Sequence, residues 1–467
     1  MSGTGFTGSV RRIVPLAWPV FVGQLAVLGF STVDTVLVAR HSATDLAALA
    51  VGAATYVTVF VGFMGVVLAV GPIVGQLYGA QRLHEAGHQA HQAAWIALAL
   101  AVFGCLLLLF PQPFLWMSRA GPEVATKVRG YLFALAFALP AALLFTVYRG
   151  FNVAVSRPKA VMALQLGGLA LKVPLSWLLV TGSPTLGLPA LGVVGCGWAT
   201  AIAMWLQLAI AWQVLARDPF YARFELGGRL RRPHRPSLQG LLRLGVPMGL
   251  AILIEVTGFA FMAIFIARLG ETPVAGHQIA ANLVALLFMA PLGLSNATST
   301  LVAQRIGADD LRDARRIGWH GVQLALLVAT VMGGTVFVLR ESVLQLYTNN
   351  AAVVTAAAPL VAWVAVFHAA DAAQTAAAFV LRAWRIATLP LVIYTLSLGG
   401  IGLGGGYVLA FDPWRIAPAA WQGARGFWIA STAGLVVAAV ALTLLLVVVL
   451  RRQKARAAAQ SGTAQPG

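Results

Sequence analysis

Three acidic side chains lie inside long apolar stretches of this 467-residue chain, where a charge is costly. They are Asp34, Glu255 and Asp371, whereas the other acidic residues fall in polar segments or at the ends of apolar stretches. One interpretation is structural, with each carboxylate held in a salt bridge or capping a kinked helix. The other is functional, because a carboxylate in such a place can bind and release a proton or a cation.

The small number of basic residues inside those stretches favours the functional interpretation. Lys172 is the only base that lies clearly within one of them, so it cannot neutralise all three acids. At least two acids must therefore bind a proton or a metal cation, or be protonated at rest. Polar residues that could support such a site are Lys172, Ser176, His277, Gln278, Asn282, His368 and Gln374.

The second half of the chain holds two of the acids, Glu255 and Asp371. Asp371 has His368 three residues before it and Gln374 three residues after it, which places all three on one helix face. Two carboxylates with amide oxygens would suit a hard cation. We therefore expect a Na⁺ site at Glu255 and Asp371, with H⁺ as a competitor at the same groups.

The composition indicates the class of protein in which these acids occur. Hydrophobic residues make up 60% of the chain and charged residues only 10%, against roughly 25% in soluble domains. These values exclude an ordinary soluble enzyme, a disordered protein and a disulfide scaffold. The net charge of +18 is better explained by basic residues that flank membrane helices than by binding to nucleic acid.

Twelve continuously apolar segments are long enough to cross the membrane, which takes about 20 residues in a helix. The predicted spans are 13–39, 47–77, 91–113, 130–149, 160–181, 190–216, 243–268, 274–301, 318–339, 355–382, 387–411 and 424–450. The sequence thus predicts an all-α polytopic membrane protein. With both termini in the cytoplasm, 23 Lys and Arg residues lie on the inner side and 8 on the outer side, which favours this orientation.

The two halves of the chain are related. When the first half is displaced without gaps so that Pro19 falls on Pro247, Gln76 falls on Gln304. Six spans in each half is an even number, so both repeats start on the same side of the membrane. Parallel repeats of this kind are typical of secondary transporters.

A polar segment between the halves completes the predicted domain organisation. The predicted parts are an N-terminal six-helix lobe (1–216), a cytoplasmic linker (217–242), a C-terminal six-helix lobe (243–450) and a basic, then polar, cytoplasmic tail (451–467). The two lobes are expected to be pseudo-symmetric, because they derive from the repeat.

With these features in place, the chain resembles the MATE (multidrug and toxic compound extrusion) family, in its bacterial NorM-like branch. The matching segments are 19–35, 71–80, 254–255, 276–279, 304–308 and 371–382. The resemblance covers roughly residues 10–450. It implies two lobes around a central cavity and transport by alternating access.

The resemblance also implies a function. Family members export amphipathic, often cationic, organic compounds in exchange for Na⁺ or H⁺, and they need no cofactor. By position, Asp34 matches the acid of the first lobe, and Glu255 and Asp371 match the cation site of the second lobe. We therefore expect a monomeric antiporter of the bacterial inner membrane, which is not an enzyme and does not bind nucleic acid.

Two alternative functions fit the sequence less well. A lipid-linked sugar flippase of a related fold would need basic residues in its cavity to bind a pyrophosphate, and only Lys172 is available. A membrane-embedded hydrolase built on His368 and Asp371 would lack a paired nucleophile and a complete set of metal ligands.

One segment departs from the family pattern. NorM-like members usually show an Asn-x-Pro-Leu-Asn-like pattern in the fifth span, whereas this chain reads Lys172-Val-Pro-Leu-Ser176. We predict that Lys172 contacts Asp34 directly or through one water molecule. Such a contact would keep Asp34 ionised and leave ion coupling to the second lobe.

Overall fold

The computed structural model describes residues 5–118, 121–184, 187–228, 230–415 and 418–462. Within these ranges twelve helices are long and apolar enough to span a membrane, and they match the predicted spans one for one. The first six are α1 (Phe6–His41), α2 (Ala43–Gly79), α3 (Leu83–Leu109), α4 (Pro122–Ala154), α5 (Pro158–Thr181) and α6 (Val193–Arg217). The second six are α7 (Arg235–Ala267), α8 (Glu271–Gly307), α9 (Leu311–Val338), α10 (Ala351–Ala383), α11 (Thr388–Phe411) and α12 (Ala424–Gly462).

Short helices lie between some of these spans. They are Gln112–Ser118, Pro219–Ala222, Arg340–Tyr347 and the 3₁₀ turn Ala419–Trp421. The predicted all-helical fold class is confirmed, since pairing of the β type within the described ranges is limited to one bridge, Ser183 with Leu188.

The internal repeat is visible in the bounds of the helices. The displacement that brings Pro19 onto Pro247 also brings both ends of α2 onto the ends of α8, and the start of α3 onto the start of α9. The loop after α2 contains Gln81 in a left-handed conformation (φ 59°), and the loop after α8 contains its counterpart Asp309 in the same conformation (φ 58°). The offset between the two halves that the sequence predicts therefore relates helix ends and loop conformations as well as residue types.

Helix α2 differs from its counterpart by a break between Val67 and Val70. Pro72 explains the break, because it has no N–H to donate to the carbonyl of Leu68, four residues earlier, and its ring crowds that carbonyl. The equivalent residue of the second half is Thr300, and α8 continues through it without interruption.

The described chain forms two compact units, residues 22–253 and residues 1–21 with 254–467. In the first unit α2 packs along α4, and in the second unit the counterpart pair, α8 and α10, packs in the same way. Helices α1 and α7 each contribute residues to both units.

Close contacts between helix backbones occur at equivalent places in the two units. A Cβ atom on Gly65 of α2 would lie 2.6 Å from the Cα of Gly249 in α7. In the other unit, a Cβ atom on Gly293 of α8 would lie 3.0 Å from the carbonyl oxygen of Ala17 in α1. Gly293 is the counterpart of Gly65 in the repeat, so the repeat preserves the small residue that this approach requires.

The segment that precedes α7 is held against α3. The side chain of Gln92 donates to the carbonyl of Arg232 (3.0 Å) and accepts from the backbone N–H of His234 (2.8 Å). Trp95 donates through its indole nitrogen to the carbonyl of Arg231 (2.8 Å). These bonds satisfy backbone groups in a stretch that has no regular structure of its own.

Helix α11 is not a regular α-helix along its whole length. It starts as an α-helix (Thr388–Tyr394), continues as a π-helix (Thr395–Gly404) and ends as an α-helix (Gly405–Phe411). The π segment is rich in glycine. Because glycine has no side chain and a flexible backbone, it permits the wider turn of a π-helix. Tyr394 is the last residue before that turn.

Candidate functional site

The acid of the first half, Asp34 on α1, faces two residues of α5 that lie four positions apart. Lys172 donates from Nζ to Asp34 Oδ2 at 2.8 Å, and Ser176 donates from Oγ to Asp34 Oδ1 at 3.3 Å. The side chain of Lys172 is 1% exposed and that of Asp34 is 9% exposed. The predicted contact between Asp34 and Lys172 is confirmed, and it is direct.

Further groups complete the surroundings of the Lys172 ammonium. It donates to the hydroxyl of Thr200 on α6, and it lies 5.1 Å from the centre of the Phe30 ring, within cation–π range. The thiol of Cys196 also interacts with the carboxylate of Asp34. A buried ion pair that is hydrogen-bonded in this way is neutral as a unit, whereas removal of one partner leaves a buried charge.

The second cluster contains the other two acids. Gln374 on α10 donates from Nε2 to Asp371 Oδ1 at 2.8 Å and to Glu255 Oε1, on α7, at 3.3 Å. One amide nitrogen therefore reaches both carboxylates, so the two acids share a single small site. Asp371 is 6% exposed, Gln374 is completely buried and Glu255 is half-buried.

Two hydroxyl groups fix the side chain of Gln374 in this cluster. Thr375 Oγ1 lies 3.0 Å from Nε2 as a third acceptor for the two N–H bonds of this amide, and Oε1 accepts a hydrogen bond from the hydroxyl of Tyr394 on α11. Tyr394 is 2% exposed, so this hydroxyl is shielded from bulk water.

The second half of the chain also contains a buried base. Arg382 on α10 is 7% exposed, and its guanidinium interacts electrostatically with Glu255 and Tyr394. Arg382 is the last residue of its predicted span, 355–382, and it was not included in the sequence-based count of bases that could neutralise the acids. Helix α10 extends to Ala383, which keeps Arg382 inside the packed helix instead of in a loop.

His277 is part of an aromatic cluster. Its Nδ1 accepts a hydrogen bond from the indole nitrogen of Trp428 at 3.3 Å, and its ring lies 6.2 Å from the ring centre of Phe259. Its described contacts are with these rings and do not include Glu255 or Asp371.

The remaining predicted supporting residues of the second half have no described hydrogen bond to the two carboxylates. Asn282 accepts a hydrogen bond from the Tyr347 hydroxyl at 2.8 Å, and Gln278 is exposed. His368 is completely buried, but neither ring nitrogen has a hydrogen-bond partner among the described residues. Of the polar residues proposed for the second half, the described hydrogen bonds join Gln374 alone to the acids.

The second cluster is suited to reversible binding of a cation. The guanidinium of Arg382 interacts electrostatically with Glu255, so among these residues the negative charge of one of the two carboxylates has no fixed partner. Carboxylate, amide and hydroxyl oxygens are ligands for hard cations, and a close pair of carboxylates can also share a proton. The first cluster differs, because its carboxylate already has an internal cation.

Several members of both clusters were missed by sequence reasoning, namely Thr200, Thr375, Arg382 and Tyr394. For Tyr394 a usable signal exists, since a tyrosine in the middle of an apolar span needs a partner for its hydroxyl. For the two threonines there is no comparable signal, because a helical threonine can bond to its own backbone.

Comparison with known proteins identifies the family of the chain. The family model described as MatE matches residues 19–178 and 247–408, which cover the corresponding parts of both repeats. A probable multidrug resistance protein NorM of Aromatoleum aromaticum is 40% identical over 431 residues, which is 92% of each chain. The multidrug resistance protein PmpM of Pseudomonas aeruginosa is 33% identical over 96% of this chain and 94% of its own.

Solved structures agree in fold. The crystal structure of the eukaryotic MATE transporter AtDTX14 superposes with a TM-score of 0.85 at 19% identity, over 95% of this chain and 96% of that one. An outward-facing multidrug resistance MATE family transporter gives a TM-score of 0.84 at 19% identity, over 96% and 97% of the two chains. Together, the family match and the close relatives show that the chain belongs to the MatE family, in its NorM-like branch.

Proposed function

We propose that this multi-pass membrane protein, a multidrug efflux antiporter, drives export with a cation that enters at Glu255 and Asp371. The exported compounds are amphipathic and mostly cationic organic molecules, and the coupling ion is H⁺ or Na⁺. The relatives named as multidrug resistance proteins support the efflux function. They do not favour a lipid-linked sugar flippase.

The observation that carries the proposal is the shared hydrogen-bond donor of the two acids. Glu255 and Asp371 lie within reach of one buried amide nitrogen. Among the described residues of their cluster there is a single base, Arg382, which interacts electrostatically with Glu255. The remaining negative charge is costly in the membrane unless a cation or proton neutralises it. Binding of the ion to these acids is therefore favourable. Its release on the other side of the membrane, after the conformational change, couples the ion gradient to export.

In this account Asp34 has a different role. Because Lys172 neutralises it, Asp34 does not need an external ion in the arrangement seen here. We assign Asp34, Lys172 and Ser176 to a structural or substrate-responsive cluster, with ion coupling carried by the second half.

The proposal includes the setting of the protein. The protein is a monomer of the bacterial inner membrane in this proposal. Its two termini lie in the cytoplasm, and the excess of Lys and Arg in the segments that this orientation places on the cytoplasmic side supports that orientation. Alternating access would then be a movement between the lobes at 1–216 and 243–450, with the 217–242 linker and the 451–467 tail in the cytoplasm.

Dye transport in inside-out vesicles tests the proposal. A proton gradient with an acidic lumen and a Na⁺ gradient directed outward should be imposed separately. Transport into wild-type vesicles should depend on one of the gradients, and Glu255→Gln or Asp371→Asn should abolish it. Two control variants make the same chemical changes outside the cluster. They are Glu123→Gln, in the first turn of α4, and Asp412→Asn, directly after α11, and both should retain transport. Full gradient-driven transport in both cluster variants would refute the proposal.

A further inference from the structure

The linker between the two lobes packs on the first turns of α3. Within its described residues, Phe224 and Leu226 are buried. A Cβ atom on Gly87 of α3 would lie 1.8 Å from the carbonyl oxygen of Phe224, so the linker can approach this closely only because residue 87 is glycine. Together with the hydrogen bonds from Gln92 and Trp95, these contacts dock the linker and the start of α7 on α3.

An equivalent contact exists in the other half of the repeat. The displacement that relates the two halves brings Ser9 of α1 onto Ser237 of α7. Ser9 Oγ lies 2.7 Å from His320 Nδ1 on α9. Ser237 Oγ lies 3.1 Å from Gln89 Nε2 on α3. The first helix of each repeat therefore begins against the third helix of the other repeat, and both contacts restrain a movement of one lobe against the other.

The two contacts differ in the groups that hold them. On α9, Asp313 binds Arg12 of α1 at 2.8 Å, and an ion pair of these residue types keeps its charges throughout the neutral pH range. The counterpart of Asp313 on α3 is Glu85, which pairs with Arg82 of the same helix. The contact between α3 and the linker contains histidines instead, and a histidine in water gains its charge near pH 6.5.

Four histidines lie where α3 meets the linker. The titratable and charged groups that interact there are Arg82, His84, Glu85, His88 and His91 on α3, Glu225, Arg231 and His234 in the linker, and Tyr78 on α2, whose ring stacks on Phe224. The rings of His88 and His234 are 5.6 Å apart, so two charged imidazoles would face each other. Glu225 lies 3.4 Å from His84 Nε2, but it already pairs with Arg231 and can balance only one added charge.

His91 is the histidine for which a charge in the docked state is most costly. It is 6% exposed, and its ring interacts with the carbonyl of Leu226. Neither ring nitrogen makes a hydrogen bond of ordinary geometry to the described residues. A proton on His91 would therefore place a charge in a buried site that interacts with the guanidinium of Arg231. When the linker moves away, water reaches the ring and solvates the charge, so protonation favours release of the linker.

We propose that the linker is a proton-sensitive latch, which stays docked on α3 while His88 and His91 are neutral and is released when acid protonates them. Release frees the start of α7 from α3 and permits the lobes to move at the face that the proposed orientation places in the cytoplasm. The latch goes beyond the proposed function, because it makes transport responsive to the pH of that compartment. Ion coupling at Glu255 and Asp371 is a separate property of the protein.

The direction and size of the pH effect follow from the chemistry of histidine. A histidine in water is half protonated at about pH 6.5. If His91 is neutral in the docked state and takes up a proton on release, a change from about pH 7.5 to about pH 5.5 shifts the equilibrium about tenfold toward release. His88 acts in the same direction and increases the shift.

Hydrogen exchange of the purified full-length protein in detergent tests the latch. The reporter is the backbone N–H of His234, which donates to Gln92 Oε1 at 2.8 Å in the docked linker. After correction for the intrinsic effect of pH on exchange, its protection should fall at least about tenfold between about pH 7.5 and about pH 5.5. His88→Gln combined with His91→Leu should keep the protection nearly constant. Should the double variant not fold, His91→Leu alone should lose most of the fall.

His320→Gln is the matched control, because it changes a histidine of the equivalent contact on α9 and should show the same fall in protection as the wild type. Wild-type protection that does not change with pH would overturn the latch. A full fall in the double variant, or in His91→Leu where that variant replaces it, would overturn it as well. These measurements involve no transport, so their failure leaves the proposed coupling site standing, and a failure of the coupling site leaves the latch standing.

Discussion

Lys172 Nζ lies 2.8 Å from Asp34 Oδ2, and both side chains are buried between α1, α5 and α6. The first acid cluster therefore contains its own cation, whereas the second cluster has two acids and one base. This asymmetry between two halves that otherwise repeat each other is the reason why we propose that the second half binds the coupling ion.

The Asp34–Lys172 pair predicts a charge-dependent pattern of stability. Lys172→Met strands a buried carboxylate and should cost about 3–5 kcal/mol of folding free energy. Asp34→Asn combined with Lys172→Met removes both charges and should restore most of that loss. The melting temperature of the detergent-purified protein measures both effects, and Arg217→Met at an exposed position is the control. A double variant no more stable than Lys172→Met alone would show that the two charges do not compensate each other.

A prediction about packing concerns Gly65. A methyl group at this position would lie 2.6 Å from the Cα of Gly249, and the backbone of α7 cannot move away as a flexible side chain could. Gly65→Ala should therefore destabilise the protein by about 1–3 kcal/mol, as overpacking does. Gly167, also within a helix, has no atom within 4 Å of the corresponding position, so Gly167→Ala should be neutral or slightly stabilising. Equal thermal stability of the two variants would contradict the close helix contact.

The segment before α7 should depend on Gln92. Replacement by Leu keeps the side chain's bulk but removes its bonds to the backbone of Arg232 and His234, which together should be worth about 2 kcal/mol. Trypsin should then cleave faster after Arg231, the described arginine of this segment that is not followed by proline. Gln213→Leu changes an exposed glutamine and should leave the cleavage rate unchanged. An unaltered rate in Gln92→Leu would show that the segment is held by other contacts.

Hydropathy predicted all twelve spans because the cost of placing backbone and charge in lipid is a local property of the sequence. The contact between Asp34 and Lys172 was also predictable, since a buried charge requires a partner. The spacing of His368 from Asp371 was less informative. Residues three apart share a helix face, but the side-chain direction determines whether they meet, and His368 makes no described hydrogen bond.

The chemistry of the second cluster depended on tertiary structure. The sequence predicted amide oxygens as ligands, whereas Gln374 directs its nitrogen to the acids because Tyr394, twenty residues further along the chain, binds its oxygen. Likewise, Arg382 is the last residue of its predicted span, and hydropathy does not show that its side chain is buried and interacts with Glu255. Both features follow from how α7, α10 and α11 pack, which no local pattern in the sequence encodes.

Ion movement induced by substrate tests most directly whether the second cluster carries coupling. Purified protein in liposomes, with no imposed gradient, should move the coupling ion when substrate is added to one side, and an internal pH dye or radioactive Na⁺ reports that movement. The account predicts that Glu255→Gln and Asp371→Asn lose this movement, whereas the Asp34→Asn/Lys172→Met double variant retains it. Loss of ion movement in the first-cluster variant, together with its persistence in both second-cluster variants, would contradict the account.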